Sequence, residues 1–298
     1  MIESLSKRTD YPSLLDYNYL NQASLGLIGS PAVEAMNDFL HNVARHGNLK
    51  MSDEQEINFL NPLKRNIAKL LDTKEEHVAI MGSASEMLGQ LPYIFKPKKN
   101  TKIVAISTDF PALTRPWISY CKTQLCEMHF VEDDKSTNLT KQIIQAIDKR
   151  TSVVTVSLVQ FSTGTKIDIQ KLSIVTKQAG AKLIIDITQA AGAIPISVRN
   201  IDADVLVCSG YKWLGGHGGI GIALTSPEFL KKDPIMTGWM GAPDPFNMQA
   251  KNSSYSQDAR KYTMATMSYI SIRGLEVAVN ELLNLNMINI SLHANKLK

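Results

Sequence analysis

Seven short apolar runs recur along the chain: Val78–Met81, Lys102–Ser107, Glu127–Val131, Ser152–Leu158, Lys182–Ile187, Asp204–Cys208 and Gly221–Leu224. Most carry apolar residues at consecutive positions rather than alternate ones. That is the pattern of strands covered on both faces, as in a mainly parallel sheet. Between the runs lie stretches of helical periodicity, including Pro31–Arg45, Thr140–Asp148 and Asp168–Gln178. Ser30 is placed to cap the first of these, with Pro31 at the first helical position, and Gly180 stops the third. The alternation predicts a doubly wound α/β domain over about residues 15–265, a seven-stranded mainly parallel sheet flanked by helices.

The tail differs. Ser268–Asn284 reads as one long helix, and Ile288–Leu297 begins another that is still running at Lys298. A division follows, with 1–265 as the large domain and its N-terminal segment. Residues 266–298 are then a linking helix and the start of an incomplete, truncated second domain.

Composition removes several classes of function. The net charge of +4 comes from 32 basic and 28 acidic residues, too weak a bias for a nucleic-acid partner. The densest basic group, Lys96, Lys98, Lys99 and Lys102, reads as a solvated loop leading into a strand. Cys121, Cys126 and Cys208 have no metal-ligand spacing. Scattered thiols in odd number fit a reducing, cytoplasmic setting and are expected to be buried and structural. No apolar run reaches ~18 residues and the N-terminus lacks a signal-like core, so no membrane association is expected.

Three motifs bear on chemistry. In Val205–Gly221, VLVCSGYKWLGGHGGIG, a strand ends at Cys208 and a turn presents Ser209, Tyr211 and Lys212 ahead of a glycine-rich stretch. A lysine at the carboxyl end of such a strand points into the usual ligand crevice, and partial desolvation frees its amine to attack an aldehyde. A surface turn lysine is the competing reading. In Ile184–Gly192, IIDITQAAG, Asp186 ends another buried strand and needs a partner, for which a protonated pyridine nitrogen is suitable. A helix-capping role is the alternative. In Met81–Glu86, MGSASE, small residues at a helix N-terminus make a phosphate cradle, or simply a cap at Ser83 or Ser85. Pyridoxal 5′-phosphate (PLP) requires an amine, a nitrogen partner and a phosphate anchor together. A nucleotide-binding reading of the glycine stretch fits poorly, because neither a Walker spacing nor G-x-G-x-x-G after a strand is present.

On these blocks the chain resembles the class V aminotransferase family of fold-type-I PLP enzymes, which includes cysteine desulfurases, selenocysteine lyases and kynureninase. The resemblance begins at Tyr19–Gly26, YLNQASLG, continues through the Asp186 and Lys212 blocks, and ends in Ala259–Leu275, ARKYTMATMSYISIRGL. It implies a PLP-dependent transferase or lyase that acts on an amino acid through an external aldimine. Lys212 would be the catalytic residue, bonding the cofactor and moving the substrate α-proton. Asp186 would pair with the pyridine nitrogen and Gln189 with the phenolic oxygen. Ala84 and Ser85 would hold phosphate, aided by Ser209 and Tyr211, and Phe110 would stack on the ring. Thr266 matches a threonine that reaches phosphate across a dimer interface, which implies a homodimer.

The sequence also departs from the desulfurase pattern. Tyr211 stands where desulfurases carry His. Asp109–Trp117, DFPALTRPW, places Phe110 and Pro111 where they carry stacking histidines. Phe–Pro, Tyr–Lys and Val159–Gly164 (VQFSTG) are closer to kynureninase, yet kynureninases usually carry His where Gln189 stands. Relatives run roughly a hundred residues further, by the resemblance, and that part holds the substrate-binding arginine and the desulfurase cysteine. Arg115, Arg260 and Arg273 are candidate substitutes for the arginine, and His217 lies near enough in sequence to approach the cofactor. A kynureninase-like hydrolase and a catalytically impaired PLP-binding remnant are the alternative functions.

Overall fold

The seven apolar runs pair into one sheet in a computed structural model that describes residues 4–133 and 138–297. The strands are β1 (Val78–Met81), β2 (Lys102–Ile106), β3 (Glu127–Val131), β4 (Thr151–Ser157), β5 (Lys182–Asp186), β6 (Val205–Ser209) and β7 (Gly221–Thr225). Their order across the sheet is β1-β7-β6-β5-β4-β2-β3. Only β7 runs against its neighbours, pairing antiparallel with β1 and β6, while the other pairings are parallel.

Eleven α-helices occur among the described residues. They are α1 (Ser13–Asp16), α2 (Ser30–His46), α3 (Asp53–Ile57), α4 (Asn61–Leu70), α5 (Ala84–Phe95), α6 (Pro111–Gln124), α7 (Leu139–Ala146), α8 (Ile169–Gln178), α9 (Pro227–Leu230), α10 (Tyr269–Leu285) and α11 (Met287–Leu297). None is long and apolar enough to cross a membrane.

Consecutive apolar residues in the strands serve two separate cores, because successive side chains leave a strand on opposite faces. On one face, Val104, Val154, Ile185, Leu206 and Ile222 pack with Leu63 and Ile67 of α4, Leu172 of α8, and Ile272 and Leu275 of α10. On the other, Ile103, Val153, Ile184, Val207 and Ala223 pack with Leu88 and Leu91 of α5 and Leu113 and Trp117 of α6. From β2 the chain moves outward to β3, whereas from β4 it moves inward to β5. Helices α6 and α8 therefore leave on opposite faces, and a crevice opens at the carboxyl ends of β2 and β4, where such sheets bind ligands.

Local details correct three expectations. Gly29, not Ser30, is the N-cap of α2, and Ser30 is already helical. Lys102 is buried at the start of β2 and bonds Asp148 at 3.0 Å, while Lys96, Lys98 and Lys99 are exposed. A buried ammonium requires such a partner. Cys121 and Cys208 are buried, but Cys126 is only half-buried, and its sulfur lies 2.8 Å from that of Cys121.

Gly221 lets β7 pass against the start of α5, since a Cβ there would lie 2.1 Å from the Ser83 carbonyl carbon. Backbone cannot yield as a flexible side chain does. We therefore expect Gly221→Ala to lower stability by about 2–4 kcal/mol in equilibrium denaturant unfolding.

Candidate functional site

The crevice edge gathers residues from four strand ends. Asp186 is the last residue of β5, and its Oδ1 accepts a 2.8 Å hydrogen bond from the Thr188 main-chain N–H. It is fully enclosed, and its pKa is pushed up to about 6. Burial is the main cause. The Thr188 bonds oppose it, the nearby Asp109 charge adds to it, and Lys212 pulls the other way.

Lys212 lies in the turn between β6 and β7 and is 8% exposed. Burial holds its pKa below the ordinary lysine value of 10.5, and the Asp186 charge partly restores it. Its Nζ sits 5.4 Å from the centre of the Phe110 ring. The ring of Phe161 meets Phe110 edge-on at 5.6 Å and 84°.

The Lys212 turn is held from the far end of the sequence. The Gln22 amide donates to the Lys212 carbonyl at 3.2 Å while its oxygen accepts from Leu27 N–H. Gly26 N–H donates to the Tyr211 carbonyl at 2.8 Å. A Cβ at Gly26 would lie 2.0 Å from the Lys212 oxygen, so only glycine permits this approach.

The remaining predicted residues divide. Ser83 caps α5 by accepting from Glu86 N–H, and Ala84 and Ser85 follow as its first helical residues. Their N–H groups have no partner within the helix and carry the positive end of its dipole. Ala84 is buried and Ser85 exposed. Ser209 ends β6, and its N–H donates to the Thr188 hydroxyl at 3.2 Å. Gln189 is engaged at both ends: its oxygen accepts from the Trp213 indole at 2.7 Å and its amide donates to the Ala23 carbonyl at 2.9 Å. One amide hydrogen is left for another acceptor. Thr266 is exposed in the segment before α10, next to Tyr269.

Arg115 is exposed, Arg260 bonds the Met240 and Pro243 carbonyls, and Arg273 pairs with Glu276 at 2.6 Å. His217 is exposed beside the Gly218 carbonyl. Sequence reasoning passed over Asp109, Thr188 and Trp213. Asp109 gave a weaker form of the Asp186 signal, a carboxylate three positions past the last residue of β2. The other two are visible only once their contacts are.

The set has the chemistry to hold a phosphorylated pyridine aldehyde. Asp186 is a buried carboxylate whose pKa signals the lack of a close cation, Lys212 is a buried amine of reduced basicity, and the α5 N-terminus is an anion site. No cluster of three or more His, Cys, Asp or Glu suited to a metal occurs among the described residues.

A family model described as "Aminotransferase class-V" matches residues 18–298. A probable cysteine desulfurase of Pyrococcus abyssi is 24% identical over 239 residues, 78% of this chain and 59% of that protein. A kynureninase of Scheffersomyces stipitis is 28% identical over 263 residues, 78% of this chain and 57% of that protein. The chain thus spans about three-fifths of the length of these relatives. Among solved structures, a C-DES mutant with glycine covalently linked to its PLP cofactor aligns at a TM-score of 0.86 and 16% identity, covering 94% of this chain and 75% of that one. The apo cysteine desulfurase of Thermococcus onnurineus aligns at 0.82 and 21%, covering 95% and 70%. Both carry the same fold as this chain.

The raised pKa of Asp186 sets a pH dependence. In the cofactor-free protein the folded state binds this proton more tightly than the unfolded chain, so stability falls as pH rises from 3.8 to about 6. We expect Asp186→Asn to stabilise the cofactor-free protein above that window by on the order of 2–3 kcal/mol. The gain should vanish near pH ~4, read by denaturant unfolding across pH.

Proposed function

The chain belongs to the aminotransferase class-V family, and from that premise we propose that it is a PLP-dependent enzyme acting on an amino acid, with Lys212 as its catalytic residue. The observation that carries the reading is the buried Lys212 amine facing Phe110 near the enclosed Asp186 carboxylate at adjacent strand ends. PLP, when bound, supplies an electron sink for negative charge developing on the amino acid.

The chain's own groups divide the rest of the work. Reduced basicity keeps more of the Lys212 amine neutral near pH ~7 than an exposed lysine would allow, so Lys212 would be the residue that holds the cofactor covalently at its aldehyde, with loss of water. The same Nζ then holds the proton taken from the substrate Cα. Asp186 keeps a proton on the pyridine nitrogen, and that pairing relieves its own burial. Ala84 and Ser85 N–H groups bind phosphate, with hydroxyls of Ser85, Ser209 and Tyr211 adding donors. Phe110 covers a ring face and excludes water, and the spare Gln189 amide hydrogen reaches the phenolic oxygen. Thr266, exposed in the segment before α10, serves the phosphate of a second copy, which makes the protein a homodimer. Its composition and free thiols suit the cytoplasm.

Within the family we read the chemistry as cysteine desulfurase-like transferase or lyase activity. A kynureninase-like hydrolase is the second reading, favoured by the Phe110–Phe161 ring pair beside Lys212 and by the 28% identical relative. Cys208 is enclosed in β6 with its thiol pushed up by burial, so it is no nucleophile for a desulfurase.

Incubation with PLP followed by borohydride should label one peptide, the one containing Lys212, by mass spectrometry. Lys212→Ala should lose the label, and a retained adduct assigns the amine elsewhere. Absorbance changes of the loaded protein with a panel of amino acids then identify the substrate class, and a protein that responds to and turns over none of them is the impaired remnant.

A further inference from the structure

Asp109 follows β2 at the mouth of the crevice and is 6% exposed. Its Oδ2 accepts from Ser157 N–H at 2.8 Å. Its Oδ1 accepts from the Ser157 hydroxyl at 2.5 Å and from Phe110 N–H at 2.8 Å. Burial raises its pKa, and these donors work against that rise. Ser157 stands at the end of β4 and Phe110 is the residue whose ring faces Lys212, while the Gln160 side chain, beyond β4, adds a further hydrogen bond. Ser157 is in turn the register partner of Asp186 across β4 and β5.

Phe110 needs such a hold. It is 40% exposed, so packing does not fix it, and as the N-cap of α6 it has no side chain able to cap the helix. Its ring is steadied by Phe161 alone among the ring contacts of the described residues, and its backbone by Asp109.

We propose that Asp109 is a positioning residue of the site, fixing the β2–α6 corner to the end of β4 so that the Phe110 ring stays over the Lys212 amine. The proposal rests on the PLP reading above. Its positioning effect runs through Phe110 and should exist only while that ring is present, whereas its charge, which bears on Asp186, is left in place by Ser157→Ala.

A double-mutant cycle on the full chain tests this, with the apparent PLP Kd from absorbance titration and the visible circular dichroism of bound PLP as readouts. Asp109→Asn loses one acceptor and should weaken PLP binding about tenfold, as should Phe110→Ala, with altered dichroism in both. The double variant should bind no more weakly than Phe110→Ala alone. Additive losses, or an Asp109→Asn protein with wild-type Kd and dichroism, overturn the proposal. If Asp109→Asn does not fold, Ser157→Ala removes one of its donors and takes its place in the cycle, with a loss of about threefold expected, again only when Phe110 is present. A wild-type protein that takes up no PLP overturns the parent reading and this role together, whereas a loaded wild type with additive variants overturns this role alone.

Discussion

A carboxylate withdrawn from water at the end of a β-strand is the constraint on which the rest of this site depends. Among the described residues Asp186 has no ion pair strong enough to offset its burial, and Lys212 compensates only in part. Enclosing a charge so incompletely matched costs several kcal/mol unless something else arrives to share it. Its surroundings are organised around that deficit. Thr188 supplies a hydrogen bond without neutralising it, Cys208 stays protonated beside it, and Asp109 increases it. A fold that keeps such a group is tuned to a cationic ligand at this point rather than to maximal stability without one.

The pairing of strands was legible because it follows from period alone. Continuous apolar runs must be covered on both faces, and each of the seven predicted runs matches its strand to within one residue at either end. The burial of Asp186 and Lys212 was legible for a related reason: a polar group at or just past the end of an apolar run has to be bound or paired. What stayed hidden was whatever depends on long-range contact. Nothing local distinguishes Gln22 or Trp213 from ordinary polar and aromatic residues, yet one holds the Lys212 turn and the other occupies the Gln189 oxygen. The cap of α2 was misplaced by one residue because Ser and Gly both serve as N-caps, and chain direction before the helix decided between them. Lys102 misled because its sequence neighbours are solvated lysines, whereas its partner, Asp148, lies on a different loop.

The two faces of the sheet also have different tasks. Helices α5 and α6 lie over one face and begin at the crevice, so their first turns bring free N–H groups and the Phe110 ring to it. The opposite face, packed by α4, α8 and α10, is occupied mainly by aliphatic side chains. Substitutions there act on the site only through the strand ends they support.

The clamp of Gln22 and Gly26 on the Lys212 turn joins residues 190 positions apart in the Gln22–Lys212 bond. During synthesis the N-terminal segment leaves the ribosome long before its partner exists, at a rate that imposes a wait of about 10–40 seconds. For that interval Gln22 and Gly26 lack the carbonyls they bond in the folded chain. Closure across so long a loop is slow as well as late. The Lys212 turn is therefore among the last parts of the molecule to be set in place.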